Sequence, residues 1–339
     1  MDIREAEMKA PLQRVWDGMI PIELQLAAAD AIELLASAVL PEPFQTFYLL
    51  VPRVSYFPFI TQKIKEWWLN PMFALSGGVP GHRNAEIKDA DIWFEYRGQP
   101  LKWHYPVGLL YDMLVARGSR GEPELPWALT LHVRKFPVGK LVAGSGVQNM
   151  RDMFMAMIKE SDFIRNGSTK RVMDLSKDDQ MQFLDGLQKH EFEKYSAIHA
   201  IIVPSPNDVR PMTAAAKNGG GRPGPKAIPL KFYMETAGAE ESAAKDPAAL
   251  PDINMFHVSQ FPVPLTNKDK EGEPTTVADA FRLCYEISDQ GGDAFVTSRA
   301  CLSQGIAVPW ETPISWLAEN LYYADCFLHL VVVEVSERI

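Results

Sequence analysis

The sequence predicts an α+β protein in which two β-grasp units flank a helix-rich middle, and three observations predict it. The same succession of strand and helix patterns runs through both ends of the chain, the stretch between them has helical periodicity only, and a segment dense in Gly and Pro follows that stretch. The expected organisation is an N-terminal segment at 1–15, a first β-grasp domain at 16–140, a helix-rich domain at 141–203, a linker at 204–226 and a second β-grasp domain at 227–339. Composition agrees: 339 residues exceed one small core, and 47% apolar with 23% charged residues is the balance of a chain that folds.

Residues 20–26 (IPIELQL) alternate as a strand and 46–52 (TFYLLVP) read as a more continuously apolar one, so a long-looped hairpin joins them. The loop, AAADAIELLASAVLPEP, is an insertion rich enough in Ala and Leu for a short helix, with the acids Asp30 and Glu33 interrupting it. Phe59, Ile60, Ile64 and Trp67 recur near helical spacing through 56–69, and Pro58 is early enough to sit in the first turn. A loop is expected over 70–89, which carries GGVPGHRN. Residues 92–96 and 101–104 then flank Arg97-Gly98-Gln99-Pro100 as a second hairpin. Pro106 opens a short helix through Leu109, Leu110 and Met113, and ALTLHVRKF at 128–136 closes the unit as a strand. A strand pair, a packed helix and a returning strand make the ubiquitin-like β-grasp order, here elaborated by a hairpin and a second short helix.

From 147 the period changes. Val147, Met150, Phe154, Met157 and Ile158 share one helical face, and Ser176 with Asp178 and Asp179 reads as the cap of a second amphipathic run over 181–202. The linker contains AAAKNGGGRPGPK. Beyond it, strands at 228–236, 255–265, 299–307 and 327–335 and helices at 277–287 and 314–321 repeat the first unit's order without a residue-level repeat.

The net charge of −9 opposes broad attachment to phosphate backbones, so nucleic acid is not an expected partner. The three cysteines form no close pair and no even framework, which fits a reducing compartment. The charged N-terminus lacks the apolar core of a signal peptide and the apolar stretch at 327–335 is too short to span a bilayer, so the expected location is cytosolic or peripheral. HExxH, CxxC, GxSxG and GxxxxGK[ST] are all absent, and Gly219 to Gly221 run into Arg-Pro-Gly-Pro instead of a helix start, so neither a metal nor a cofactor is expected. The rival to a non-catalytic reading is a nucleophile at Cys301 or Cys326 assisted by His257 or His329, against which stands the usual packing role of a cysteine on an apolar strand. The chain ends Ser-Glu-Arg-Ile with no glycine tail, which favours a scaffold or a conjugation acceptor over a modifier.

PRVSY (52–56), IWFEYRGQPLKWHYPVGLLYDML (92–114), LPW (125–127), MFMAMIKESD (153–162), ETPISWLAENL (311–321) and FLHLVV (327–332) resemble the autophagy protein 5 family over nearly the whole chain, departing at the 27–43 insertion, the 69–89 loop and the Gly-rich linker. The resemblance implies two ubiquitin-like domains around a helix-rich one, in a non-enzymatic subunit of a ubiquitin-ligase-like complex. It implies conjugation to autophagy protein 12 on one lysine and noncovalent binding of the N-terminal helix of autophagy protein 16. Through the conjugate it implies contact with the conjugating enzyme of autophagy protein 8, whose lipidation the complex promotes in the cytoplasm and, peripherally, on the membrane of the preautophagosomal structure. The family's acceptor falls on Lys159. At 100° per residue Lys159 points away from the face of Met150, Phe154 and Met157, while Met155 and Phe163 flank it as an apolar surround for a partner. Trp16 and Arg53 are further candidate partner contacts, weighed against core packing and a surface salt bridge; Trp93 and Trp103 are expected in the core. Arg165, Lys170 and Arg171 form a small basic cluster that offers contact with anionic lipid, against the alternative of a solvated turn.

Overall fold

Alternating burial builds the first sheet. In β1 (Met19–Leu26), Ile20, Ile22, Leu24 and Leu26 turn inward while Met19 and Gln25 face out. Together with β2 (Phe47–Pro52), β3 (Trp93–Tyr96), β4 (Gln99–Pro100) and β5 (Trp127–His132) it forms a five-stranded sheet of order β2-β1-β5-β3-β4. β1 and β5 are parallel and the other pairs antiparallel, which is the β-grasp arrangement. The computed structural model describes residues 11–35, 40–75, 87–116, 124–203, 225–235, 256–267, 272–285, 296 and 298–334.

Three helical segments belong to this sheet. α1 (Ala28–Leu35) fills the insertion between β1 and β2. Asp30 does not interrupt it: the carboxylate is buried and accepts the Val133 amide at 2.8 Å, tying the helix to the end of β5. α2 (Phe57–Ile64) carries Pro58 in its first turn and continues through a π-helical turn (Lys65–Leu69) into α3 (Asn70–Leu75). The expected loop therefore begins later than residue 70, because buried Met72 gives one more turn an apolar anchor. α4 (Val107–Tyr111) likewise runs into a π-helical turn, Asp112–Ala116. Trp127 is fully buried among Phe57, Tyr96 and Tyr111, whose ring centroids lie 6.3, 5.7 and 5.5 Å away. Burying one such ring contributes about 3 kcal/mol.

The β3–β4 hairpin is tighter than the sequence reading. Arg97 (φ 48°) and Gly98 (φ 86°) alone make the turn and Gln99 already pairs with Tyr96, as a two-residue turn with positive φ at both positions requires. β5 stops at His132, short of residue 136, and the chain takes a positive φ at Lys135 (52°).

The helix-rich part comprises α5 (Val147–Asn166), α6 (Lys170–Met173), α7 (Lys177–Gln188) and α8 (Phe192–Ile202). Ser176 caps α7 in a reciprocal box: its Oγ accepts the Asp179 amide at 3.1 Å, and Asp179 accepts the Ser176 amide at 3.1 Å. The single run expected over 181–202 is two helices, since His190 adopts φ 58° between them. Gly186 allows the crossing, because a β-carbon there would lie 2.7 Å from the Tyr195 amide nitrogen.

β6 (Ile228–Glu235), β7 (Phe256–Val263), β8 (Arg299–Ser303), β9 (Ile306–Val308) and β10 (Leu328–Glu334) form the second sheet, in the order β7-β6-β10-β8-β9. This is the strand order of the first sheet again, with β6 and β10 parallel. The strand expected over 299–307 is a hairpin, turned by Gln304 (φ 53°) and Gly305 (φ 76°). α9 (Val277–Tyr285) and α10 (Ile314–Asn320) cover it, packing Val277, Phe281, Ile314 and Leu317 against Leu230, Phe232, Leu330 and Val332. Contacts group Trp16–Met153 in one compact unit and the helical residues from Phe154 with the second sheet in another. Most of the expected linker, 204–224, lies outside the described residues.

Candidate functional site

Lys159 sits on α5, and the burial rhythm of that helix fixes where it points. Met150, Phe154 and Ile158 are fully buried, while Lys159 is exposed. Among the described residues it makes no hydrogen bond or ion pair. Neighbouring polar groups are all committed. Ser161 Oγ donates to the Ile158 carbonyl at 2.9 Å, and the buried Asp162 carboxylate accepts from Asn166 Nδ2 at 2.7 Å and from the Val172 amide at 3.3 Å. Glu160 Oε1 accepts from Gln260 Nε2 of β7 at 2.8 Å. A primary amine in water, on a helix whose flanking groups are fixed, is an accessible nucleophile once deprotonated.

Along α5, the residues on either side of Lys159 differ in exposure. Phe163 is 58% exposed and Met155 half-buried, so an apolar side chain stands one turn from Lys159. Arg165 is only 7% exposed. Its Nη2 donates to the Cys326 carbonyl at 3.2 Å and its own carbonyl accepts the Lys226 amide at 2.7 Å. Cys326 has φ 64°, and the buried guanidinium satisfies the carbonyl of that left-handed residue. Burial lowers the Arg165 pKa.

Several sequence readings change accordingly. Arg165 faces the interior, so the basic cluster does not form as a surface: Lys170 is exposed beside Asp174 at 3.7 Å, and Arg171 donates to the Ile202 carbonyl at 3.2 Å at the end of α8. Trp16 is 4% exposed and belongs to the core, which removes it as a partner contact. Arg53 is largely buried, donating to Asp112 Oδ1 at 2.5 Å and to the Gly108 carbonyl at 3.3 Å; it ties β2 to α4 instead of reaching outward. Trp93 and Trp103 are in the core.

Cys301 and Cys326 are both buried. Burial pushes Cys301 up, and Cys326 up to about 12, which keeps both protonated. His329 is committed elsewhere: Nε2 contacts Asp325 Oδ2 at 2.9 Å and Nδ1 contacts Tyr233 Oη at 2.8 Å. Burial alone would raise the Asp325 pKa, but His329 and the Phe327 amide outweigh it and leave it below its ordinary value. Among the described residues no group of His, Cys, Asp and Glu could hold a metal ion, and no helix is long and apolar enough to cross a membrane.

Three family profiles match this chain in order. "Autophagy protein ATG5, UblA domain" matches residues 15–133, "alpha-helical bundle region" of the same family residues 147–205, and "UblB domain" residues 227–332. The chain belongs to the autophagy protein 5 family. Autophagy protein 5 of Arabidopsis thaliana is 27% identical over 97% of this chain and 99% of its own length. The Drosophila melanogaster protein of that name is 28% identical over 95% and 96%. Kluyveromyces marxianus Atg5, as a crystal structure, matches with a TM-score of 0.63 and 23% identity over 95% of this chain and 99% of that one, a likeness of fold. The two β-grasp sheets are thus the family's ubiquitin-like domains, α5 to α8 lie in its helical bundle region, and the chain is an autophagy protein.

Proposed function

We propose that this chain is a non-catalytic acceptor and scaffold in ubiquitin-like conjugation: it carries autophagy protein 12 on Lys159, holds the N-terminal helix of autophagy protein 16, and as that complex promotes transfer of autophagy protein 8 from its conjugating enzyme to phosphatidylethanolamine. The observation that supports it is Lys159 itself, an exposed amine without a partner among the described residues, on the helix of the family's bundle region that bears MFMAMIKESD. The chemistry needs only what this helix offers. The deprotonated Nζ attacks the thioester carbon at the modifier's C-terminal glycine, the new C–N bond replaces the C–S bond, the conjugating enzyme's thiolate leaves, and the proton lost from nitrogen passes to solvent. Burial of the thiols and the commitment of His329 speak against the rival cysteine-nucleophile reading. The membrane enters as the site of the lipid acceptor, reached peripherally.

Lys159→Arg retains charge and helix propensity but keeps its proton, so in a reconstituted reaction it abolishes the conjugate while helix binding and the melting temperature stay unchanged. A remnant of the modifier mapped by mass spectrometry to another lysine, or full conjugation of the Arg variant, would overturn the assignment.

A further inference from the structure

We propose that the outer edge of β7 is a strand-addition site for the extended, glycine-ended tail of the modifier joined to Lys159, an inference that rests on the reading of Lys159 as acceptor. β7 is eight residues long and outermost on its side of the second sheet. In an antiparallel pair, directly opposed residues alternate between those that exchange both main-chain hydrogen bonds and those that exchange none. Pro229 stands opposite Pro262. Neither has an amide hydrogen, so this pair is of the second kind, and stepping back by twos along the register makes Gln260 opposite Lys231 and Val258 opposite Tyr233 of the second kind too. The N–H and C=O groups of Val258 and Gln260 therefore point away from β6, toward an edge that no strand occupies among the described residues. Pro262 at an outward position is itself what an edge strand tolerates.

Natural edges are commonly guarded by charge or proline. β7 reads FHVSQFPV with no Lys, Arg, Asp or Glu, a lack it shares with the outer strands β2, β4 and β9, and its proline, Pro262, stands beyond residues 258–260. What singles out this edge is its contact with α5. The Gln260 side chain also reaches Glu160 at 2.8 Å, and Glu160 is the residue next to Lys159, about 1.5 Å of helix rise away. The outward main-chain groups of β7 thus lie within two side-chain lengths, those of Gln260 and Glu160, of the helix that carries Lys159. The occupant follows from the reaction: the carbon attacked by Nζ is the last one of a chain that must arrive extended, and an added strand holds an extended chain by main-chain bonds whatever its side chains. Val258 and Gln260 stand about 7 Å apart, which offers paired bonds to a tail of about three or four residues.

Hydrogen exchange tests this on the full-length protein without substitution. Before conjugation the Val258 and Gln260 amides exchange faster than those of His257, Ser259 and Phe261, which bond to β6; in the enzymatically formed conjugate the first two slow by about tenfold or more. Val258→Pro deletes one outward donor and no bond to β6, so it slows single-turnover conjugation at sub-saturating thioester by about tenfold while leaving helix binding and the melting temperature intact. A remnant on Lys159 with no added protection at residues 258 and 260, or a folded Val258→Pro variant that reacts at the parent rate, overturns the strand-addition proposal alone. A remnant on a different lysine overturns the acceptor reading and this proposal with it. Should the proline variant fail to fold, the exchange experiment decides by itself.

Discussion

His199 illustrates how far one buried side chain can set the pH response of this molecule. Its ring stacks on Tyr322 with centroids 4.2 Å apart and planes at 5°, and Nδ1 lies 3.3 Å from Tyr322 Oη. Burial, then the nearby Arg165 charge, lower its pKa to about 3. The folded imidazole is neutral, whereas the unfolded chain takes up a proton near pH 6.5. Below 6.5 the unfolded state binds more protons, so stability from this residue is complete above about 6.5 and is lost as pH falls toward 3, with a limiting slope of about 1.4 kcal/mol per pH unit. Asp325, with a depressed pKa, acts in the same direction but only below the ordinary carboxylate range. His199→Phe keeps the stack and removes the titration: at pH 7 it costs about 1 kcal/mol for the lost hydrogen bond, and between pH 6.5 and 4 its denaturation midpoint falls less steeply than the parent's. Parallel pH curves for the two proteins would refute this account. Such burial was partly legible beforehand. Arg165 lies eleven residues after Phe154, three helical turns and 20°, hence on the apolar face; its charge type suggested the surface, but helical phase places it inside.

At the scale of elements, both sheets close their fourth strand with the same device. Arg97-Gly98 and Gln304-Gly305 each place two positive φ angles between short antiparallel strands, β3–β4 and β8–β9. The twist of a two-residue hairpin demands this geometry, and glycine at the second position supplies it without cost to Cβ. Nothing lies within 4 Å of the position a Gly98 β-carbon would take, so a side chain there meets backbone strain and not a clash. Gly98→Val should therefore destabilise by about 1 to 2 kcal/mol, while Arg97→Asn, which trades an exposed ion pair with Glu124 at 2.8 Å for a residue at ease with positive φ, should stay within about 0.5 kcal/mol of the parent. Chemical denaturation of the two variants compares them directly, and equal losses would show the turn to be indifferent to φ. Strand and helix order followed from periodicity alone, yet these turns did not: a four-residue turn and a two-residue turn with one more strand pair have the same composition, and only the pairing of Gln99 with Tyr96 separates them.

For the molecule as a whole, the consequential link joins α5, the helix that carries Lys159, to the second ubiquitin-like sheet through the segment that leads into β10. Arg165 of α5 holds the Cys326 carbonyl, Tyr195 Oη of α8 donates to the Ala324 carbonyl at 2.9 Å, and His199 stacks on Tyr322. Three consecutive contacts grip residues 322–326, and Gln260 adds a fourth from β7 to Glu160. None of this was readable from sequence, because the partners lie 123 to 161 positions apart for His199, Tyr195 and Arg165 and no local pattern announces them. The consequence is that residues flanking Lys159 are held by groups in a different sequence domain, which joins the placement of Lys159 to the integrity of the sheet. Tyr195→Phe isolates the point, since it removes a single hydroxyl, keeps the ring on Phe183 at 4.9 Å, and leaves the buried Ala324 carbonyl without that donor. A loss of about 1 to 2 kcal/mol is expected for such a group. If the helices and the sheet open as one unit, exchange in β10 and in α5 around Lys159 should accelerate together, by about tenfold, along with that of α8. Acceleration confined to α8 would mean that the helical bundle opens by itself and that the grip on residues 322–326 does not carry stability across.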